Sequence, residues 1–88
     1  MRNPYSEVTQ VVSLAVGEAF SRAKLIPMDT PDLVAAIKRT KREMNQAISP
    51  IVARARQREP LNIYRTYTIQ QFTASDDIVV AGLIVRDA

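Results

Sequence analysis

The 88-residue chain contains no cysteine and no histidine. Disulfide scaffolds, thiolate metal sites and cysteine nucleophiles are thereby excluded. The missing histidine removes the commonest general base and the commonest metal ligand. Tryptophan is also absent, and glycine occurs only at Gly17 and Gly82, so no glycine-rich loop exists to cradle phosphate. No apolar run is long enough to cross a bilayer, because Ser13, Gly17 and Glu18 interrupt the best candidate. The start, Met1-Arg2-Asn3-Pro4, lacks signal-peptide features, which predicts a cytoplasmic protein, or one assembled in a virion if the source is viral.

What is present is the composition of a folded chain: 47% hydrophobic and 24% charged residues. The length predicts a single small domain over residues 1–88. Asn3 as N-cap and Pro4 at the first helical position predict a first helix over residues 4–24. Within it Tyr5, Val8, Val11, Val12, Ala15, Val16, Ala19, Phe20 and Ala23 share one arc at helical spacing. Ser13, Gly17 and Ser21 lie opposite, either as a seam for a second helix or as a small polar face open to water. Residues 25–29 read as a connector.

Thr30 as cap, Pro31 in the first turn and Asp32 near the positive end of the dipole predict a second helix over 31–58. Its apolar stripe is Leu33, Val34, Ile37, Met44, Ile48, Ile51, Val52 and Ala55. Pro50 either kinks this helix or starts a fresh one with Ser49 as cap; the unbroken phase of the stripe favours the kink. Pro60 ends the helical region.

From Leu61 the apolar period changes to two. Leu61, Ile63, Tyr67 and Ile69 alternate with Asn62, Tyr64, Thr66, Thr68 and Gln70, the pattern of a strand. Ala74-Ser75-Asp76-Asp77 supplies a four-residue turn into a second strand over residues 78–86, giving a hairpin across 61–86. The predicted class is α+β: two helices followed by a C-terminal antiparallel hairpin. Gly82 inside the last strand marks close packing or a bulge.

Both faces of that last strand are apolar, with Ile78, Val80 and Ile84 on one side and Val79, Ala81, Leu83 and Val85 on the other. Such a strand belongs inside a sheet, yet the reading offers it only one neighbour. An unpaired apolar edge is an aggregation hazard. The missing partner is therefore expected from a second copy or another protein, by strand addition, with Val79, Ala81, Leu83, Val85, Tyr64 and Phe72 as contact residues. Tyr67 is assigned to the core and Tyr64 to the contact surface. The competing arrangement has the helices covering one face and the other left partly exposed.

Charge is uneven along the chain. Lys38, Arg39, Lys41, Arg42, Arg54, Arg56 and Arg58 face only Glu43 between residues 33 and 58, while the remainder carries an acidic excess. Lys38, Arg39, Arg42, Arg54 and Arg56 form a candidate basic face for phosphate or for an acidic protein surface. Such a stripe is equally what a hydrated helix face looks like. No aromatic residue lies on that helix to stack on bases, and no helix-turn-helix glycine or zinc spacing accompanies it.

Catalysis is not expected. The acids are scattered, the adjacent pair Asp76-Asp77 falls in a turn, and the calcium-loop pattern is absent. Neither cofactor, metal nor small-molecule substrate is predicted. Arg58-Glu59-Pro60, closing a helix ahead of an alternating strand, a turn and a final strand, resembles the end of the lysozyme-like baseplate wedge family of contractile phage tails. There a Glu-Pro-Arg element precedes similar strands. The likeness spans the last third of the chain, with Leu61 where that family has arginine and no match upstream; it implies a small, non-catalytic, partner-dependent subunit of a viral particle. The functional expectation is a non-enzymatic assembly or interaction protein that self-associates or completes a larger complex. The alternative is a small basic nucleic-acid-binding protein.

Overall fold

A computed structural model describes residues 4–88, with side chains from Glu7 onward. The element order is α1 (Pro4–Val12), β1 (Ala19–Pro27), α2 (Leu33–Arg58), β2 (Tyr64–Phe72) and β3 (Asp77–Arg86). The three strands form one antiparallel sheet in the order β1-β3-β2. Both helices pack on the same side of it.

The expected pair of helices followed by a hairpin is therefore corrected: a strand precedes the long helix. The first helix stops at Val12, where Ser13 folds back through its amide (3.1 Å) and its Oγ (2.8 Å) to the carbonyl of Thr9. A turn follows in which Gly17 adopts φ +90°, a left-handed conformation that favours glycine. The Gly17 amide then donates to the carbonyl of Arg86 (2.7 Å), and the Arg86 amide to that of Glu18 (3.0 Å), which sets β1 in register against β3. Ser13, Gly17 and Ser21 consequently fall at a helix end, in a turn and on a strand, so they form no helical stripe. Asn3, the expected cap, and the side chain of Tyr5 lie outside the described residues.

Helix α2 starts at Leu33, two residues later than expected. Asp32 holds the cap position in the left-handed region without a side-chain cap bond, and Thr30 Oγ1 donates instead to the carbonyl of Pro27 (2.6 Å). The helix runs unbroken through Pro50 to Arg58, so no second helix begins at Ser49. Pro50 is exposed, while Ile48, Ile51 and Val52 on the opposite side are buried and hold both halves to the sheet. The stripe is otherwise as read, except that Val34 is 64% exposed.

Helix and sheet meet through two apolar groups. Val8, Val11, Ile48, Ile51, Val52, Ala55, Tyr64 and Ile84 pack at one end, flanked by Val12, Leu14 and Phe20. Ile26, Ala36, Ile78 and Val80 pack at the other, flanked by Leu33 and Ile37. Gly82 lies between them on β3. A Cβ there would sit 2.7 Å from Met44 Cγ and 3.2 Å from Ile48 Cγ2, so the missing side chain is what lets α2 come close. The final strand thus has two neighbours of its own, and the expectation that its pairing edge needs a second molecule is overturned by β1.

The far end of the sheet is tied by Arg86. Its guanidinium donates to the carbonyl of Leu14 (2.8 Å), to Asn62 Oδ1 (3.1 Å) and to the carbonyl of Ala88 (3.3 Å). One side chain therefore joins the α1–β1 turn, the segment after α2 and the residues after β3. The β2–β3 turn is closed by the Thr73 amide to the carbonyl of Asp77 (2.9 Å), with Asp76 at φ 59°.

Candidate functional site

Residues paired across an antiparallel sheet point to the same face. The helix-facing row of β3 is Ile78, Val80, Gly82 and Ile84, so the opposite face carries Val79, Ala81, Leu83 and Val85. The register places Ala19, Ser21, Ala23 and Leu25 of β1 beside them on one side, and Arg65, Tyr67, Ile69 and Gln71 of β2 on the other. Its cross-sheet rows are Ala19-Val85-Arg65, Ser21-Leu83-Tyr67, Ala23-Ala81-Ile69 and Leu25-Val79-Gln71. Among the described residues no element covers this face.

Leu25 is 58% exposed and Tyr67 and Ile69 are each 46% exposed, while Val79, Leu83 and Val85 are half-buried by their neighbours alone. The charged side chains on the face are Arg65, which pairs with Asp87, and Asp77 at the end of β3 opposite Pro27. Three strands about 4.8 Å apart and nine residues long give a flat footprint of roughly 400 Å². That footprint falls within the roughly 300–600 Å² of the largest apolar patch on a typical monomer, a patch that is often functional.

Strand β2 is the informative element. A strand at the margin of a two-layer domain ordinarily turns its apolar row toward the helices and its polar row to water. Here Tyr67 and Ile69 point to the open face, whereas Thr66, Thr68 and Gln70 share the helix side with Tyr64. Shifting the pairing by one residue would reverse this. The Tyr64 end pins the register: Tyr64 is 3% exposed, its hydroxyl accepts from Asn62 Nδ2 (3.0 Å) and its carbonyl from Arg56 Nη2 (3.0 Å).

Four of the six expected contact residues, Val79, Ala81, Leu83 and Val85, are brought together on the open face. Tyr64 is not among them: it is buried in the core, and the expected roles of Tyr64 and Tyr67 are interchanged because the register sets the row of Tyr64, Thr66 and Thr68 beside Ile84 and Gly82 on the helix side and Tyr67 beside Leu83 on the open side. Phe72 is 67% exposed but lies at the end of β2 on the helix side. Sequence reasoning missed the β1 row and the outward position of Tyr67 and Ile69. The signal for β1 was available, since an interior strand demands two neighbours.

The basic face divides in two. Lys38, Arg39 and Arg42 are exposed and pair with no acid among the described residues, and Arg54 is exposed on the same helix. Arg56 is committed to the Tyr64 carbonyl, and Arg58 Nη1 donates to Thr9 Oγ1 (3.3 Å). On the sheet side, a shallow cleft of about 260 Å³ runs between β1 and α2, lined by Arg22, Lys24, Thr40, Glu43 and Met44 among others. Its charges are already engaged: Lys24 Nζ lies 3.6 Å from Glu43 Oε2 and Arg22 Nη1 lies 3.4 Å from Glu7 Oε2. The second pair is close enough for charge attraction but is not aligned as a hydrogen bond, so the buried Glu7 oxygen has no hydrogen-bond partner among the described residues. No group of three or more metal-ligating side chains occurs among the described residues. None of their helices is long and apolar enough to cross a membrane.

A family model described as a domain of unknown function (DUF7609) matches residues 5–88. No curated protein and no solved structure matches the chain.

Proposed function

We propose that this chain, which belongs to the DUF7609 family, is a non-enzymatic assembly module whose open sheet face docks on the apolar surface of a protein partner. The observation that carries the reading is the inverted β2, with Tyr67 and Ile69 turned away from the helices and toward Leu83 and Ala81. Leaving these groups wet forfeits the burial that pays for folding elsewhere, at roughly 25 cal/mol per Å². A partner on this face restores it. The interface has the composition of such contacts: apolar and aromatic at the centre, with Arg65 and Gln71 at the margin.

A photoreactive amino acid placed at Leu83, in cells that make the protein, tests the proposal. Adducts of protein mass from position 83, and none from Arg39 on the exposed side of α2, are the expected outcome. Adducts from Arg39 alone would defeat it. A second reading, phosphate recognition, is favoured by the exposed cations Lys38, Arg39 and Arg42. It predicts steep salt dependence of any nucleic-acid binding.

A further inference from the structure

We infer that the outward face of α2 binds duplex DNA, with the N-terminal part of the helix in the major groove, Lys38 and Arg39 on the phosphates of its two walls, and Arg42 and Gln46 toward the base edges. The inference rests on the phosphate reading of this helix and adds the class of nucleic acid, the groove and the role of each residue. It is independent of what docks on the sheet.

The sign of the charge on this face is the first observation. Residues 33–58 hold seven basic side chains and one acidic one, against five and eight in the rest of the chain. That single acid, Glu43, is turned toward β1, where it pairs with Lys24. At about 100° per residue, the outward arc holds Ala35, Lys38, Arg39, Arg42, Gln46 and Ala53, all exposed. A helix face that meets only water ordinarily mixes the two signs, because like charges three or four residues apart repel. Here Lys38 stands against Lys41 and Arg42, and Arg39 against Arg42, with no acid among them. A polyanion along the face turns this mutual repulsion into attraction.

Shape is the second observation. Helix α1 packs at the far end of α2, with Ile48, Ile51, Val52 and Ala55, and among the described residues none from α1 joins the apolar group of Ala36, Leu33 and Ile37. The N-terminal part of α2 is therefore a ridge one helix wide. Such a ridge measures about 10–12 Å across, and the major groove of B-form DNA is about 12 Å wide. Lys38 and Arg39 project about 100° apart, one to each side of the ridge, with Arg42 and Gln46 between them. The two flanking cations thus face opposite strands. The central guanidinium matches the paired acceptors of guanine, and the central amide the donor and acceptor of adenine. None of these four side chains is held by an ion pair or hydrogen bond to another among the described residues, so no internal contact has to break.

Other polyanions fit the ridge less well. The major groove of A-form RNA is too deep and narrow for side chains to read. Single strands call for aromatic platforms, and α2 has none. A membrane-surface helix needs an open apolar face, whereas the buried residues of α2 lie against the sheet.

Fluorescence anisotropy with a short labelled DNA duplex of mixed sequence, its RNA counterpart and a single DNA strand, beside cosedimentation with phosphatidylserine vesicles, tests the inference. The duplex DNA should bind with a dissociation constant of roughly 10⁻⁴–10⁻⁶ M at physiological salt, and the logarithm of the affinity should fall against the logarithm of salt with a slope of at least about 2 in magnitude for the two wall contacts. Lys38→Gln and Arg39→Gln should each reduce that slope by about 1; Arg65→Gln, which removes the same charge from the open sheet face, should not. Selection from a randomised duplex pool should enrich a common sequence, and Gln46→Ala should change that sequence while keeping the slope. Equal or tighter binding of the RNA duplex or the single strand overturns the major groove and leaves the phosphate reading standing. Enrichment of no sequence overturns the roles of Arg42 and Gln46, and a slope indifferent to Lys38→Gln and Arg39→Gln overturns the face. Vesicle binding without DNA binding overturns nucleic acid as the partner. Binding to none of these probes at low salt overturns the phosphate reading as well.

Discussion

Replacing Gly82 by alanine is the sharpest probe of how α2 meets the sheet. The added Cβ would lie 2.7 Å from Met44 Cγ and 3.2 Å from Ile48 Cγ2, against an optimum of about 3.5–4.0 Å between carbon atoms. Met44 can yield by rotating, but Ile48 is fully buried and has little room. Overpacking of this kind costs about 1–3 kcal/mol. The substitution also narrows the unfolded ensemble, which returns about 0.4–1 kcal/mol because Gly82 has no positive φ to lose. The expected net destabilisation is about 1–2 kcal/mol, and for a chain of this length each kcal/mol lowers the melting temperature by about 4–8 °C. Urea unfolding should show a lower midpoint with an unchanged slope. A double-mutant cycle separates the two contacts: in a Met44→Ala background the clash with Met44 is absent while that with Ile48 remains, so Gly82→Ala should cost less but still destabilise. If Gly82→Ala alone is neutral or stabilising, the close approach of helix to strand is wrong.

Arg86→Met should lower the urea midpoint by about 1.5–3 kcal/mol in equivalent free energy, since the Leu14 carbonyl and Asn62 both lose a charged donor. Pro50→Ala should raise stability by up to about 3 kcal/mol, because the residue is exposed within an unbroken helix and alanine restores the missing backbone bond; a loss of stability in thermal unfolding would contradict that. Reversing Lys38, Arg39 and Arg42 to glutamate should leave the photoadducts from Leu83 intact. The same variant should abolish any salt-sensitive binding to duplex DNA in a fluorescence anisotropy titration, if such binding exists.

The second half of the fold was legible because its periodicities are unambiguous: a 3.6-residue stripe from Leu33 to Ala55, then an alternation of two. The first helix was overextended for a physical reason. Val11, Val12, Ala15, Val16, Ala19, Phe20 and Ala23 keep helical spacing even where the backbone is extended. The true alternation in β1, Phe20-Arg22-Lys24-Ile26 against Ala19-Ser21-Ala23-Leu25, is blurred by small residues and charges. Only Ile26 of that strand is buried, so its sequence carries little imprint of its position. The open face was half legible. The two-sided apolarity of β3 correctly separated Val79, Ala81, Leu83 and Val85 from Ile78, Val80 and Ile84, but it was read as a pairing deficit along the strand edge. The sheet satisfies the edge from within and leaves the surface.

The strand that joins the sheet is the last of the three to be synthesised. Ala19 must wait for Val85, and Phe72 pairs with Ile78 only after the turn has formed, so β1 and β2 leave the ribosome with no strand between them. Pairing over such separations is slow. A nascent chain halted before Asp77 would hold two ribbons and two helices without the element that unites them, and chaperone dependence during synthesis would follow from strand order alone.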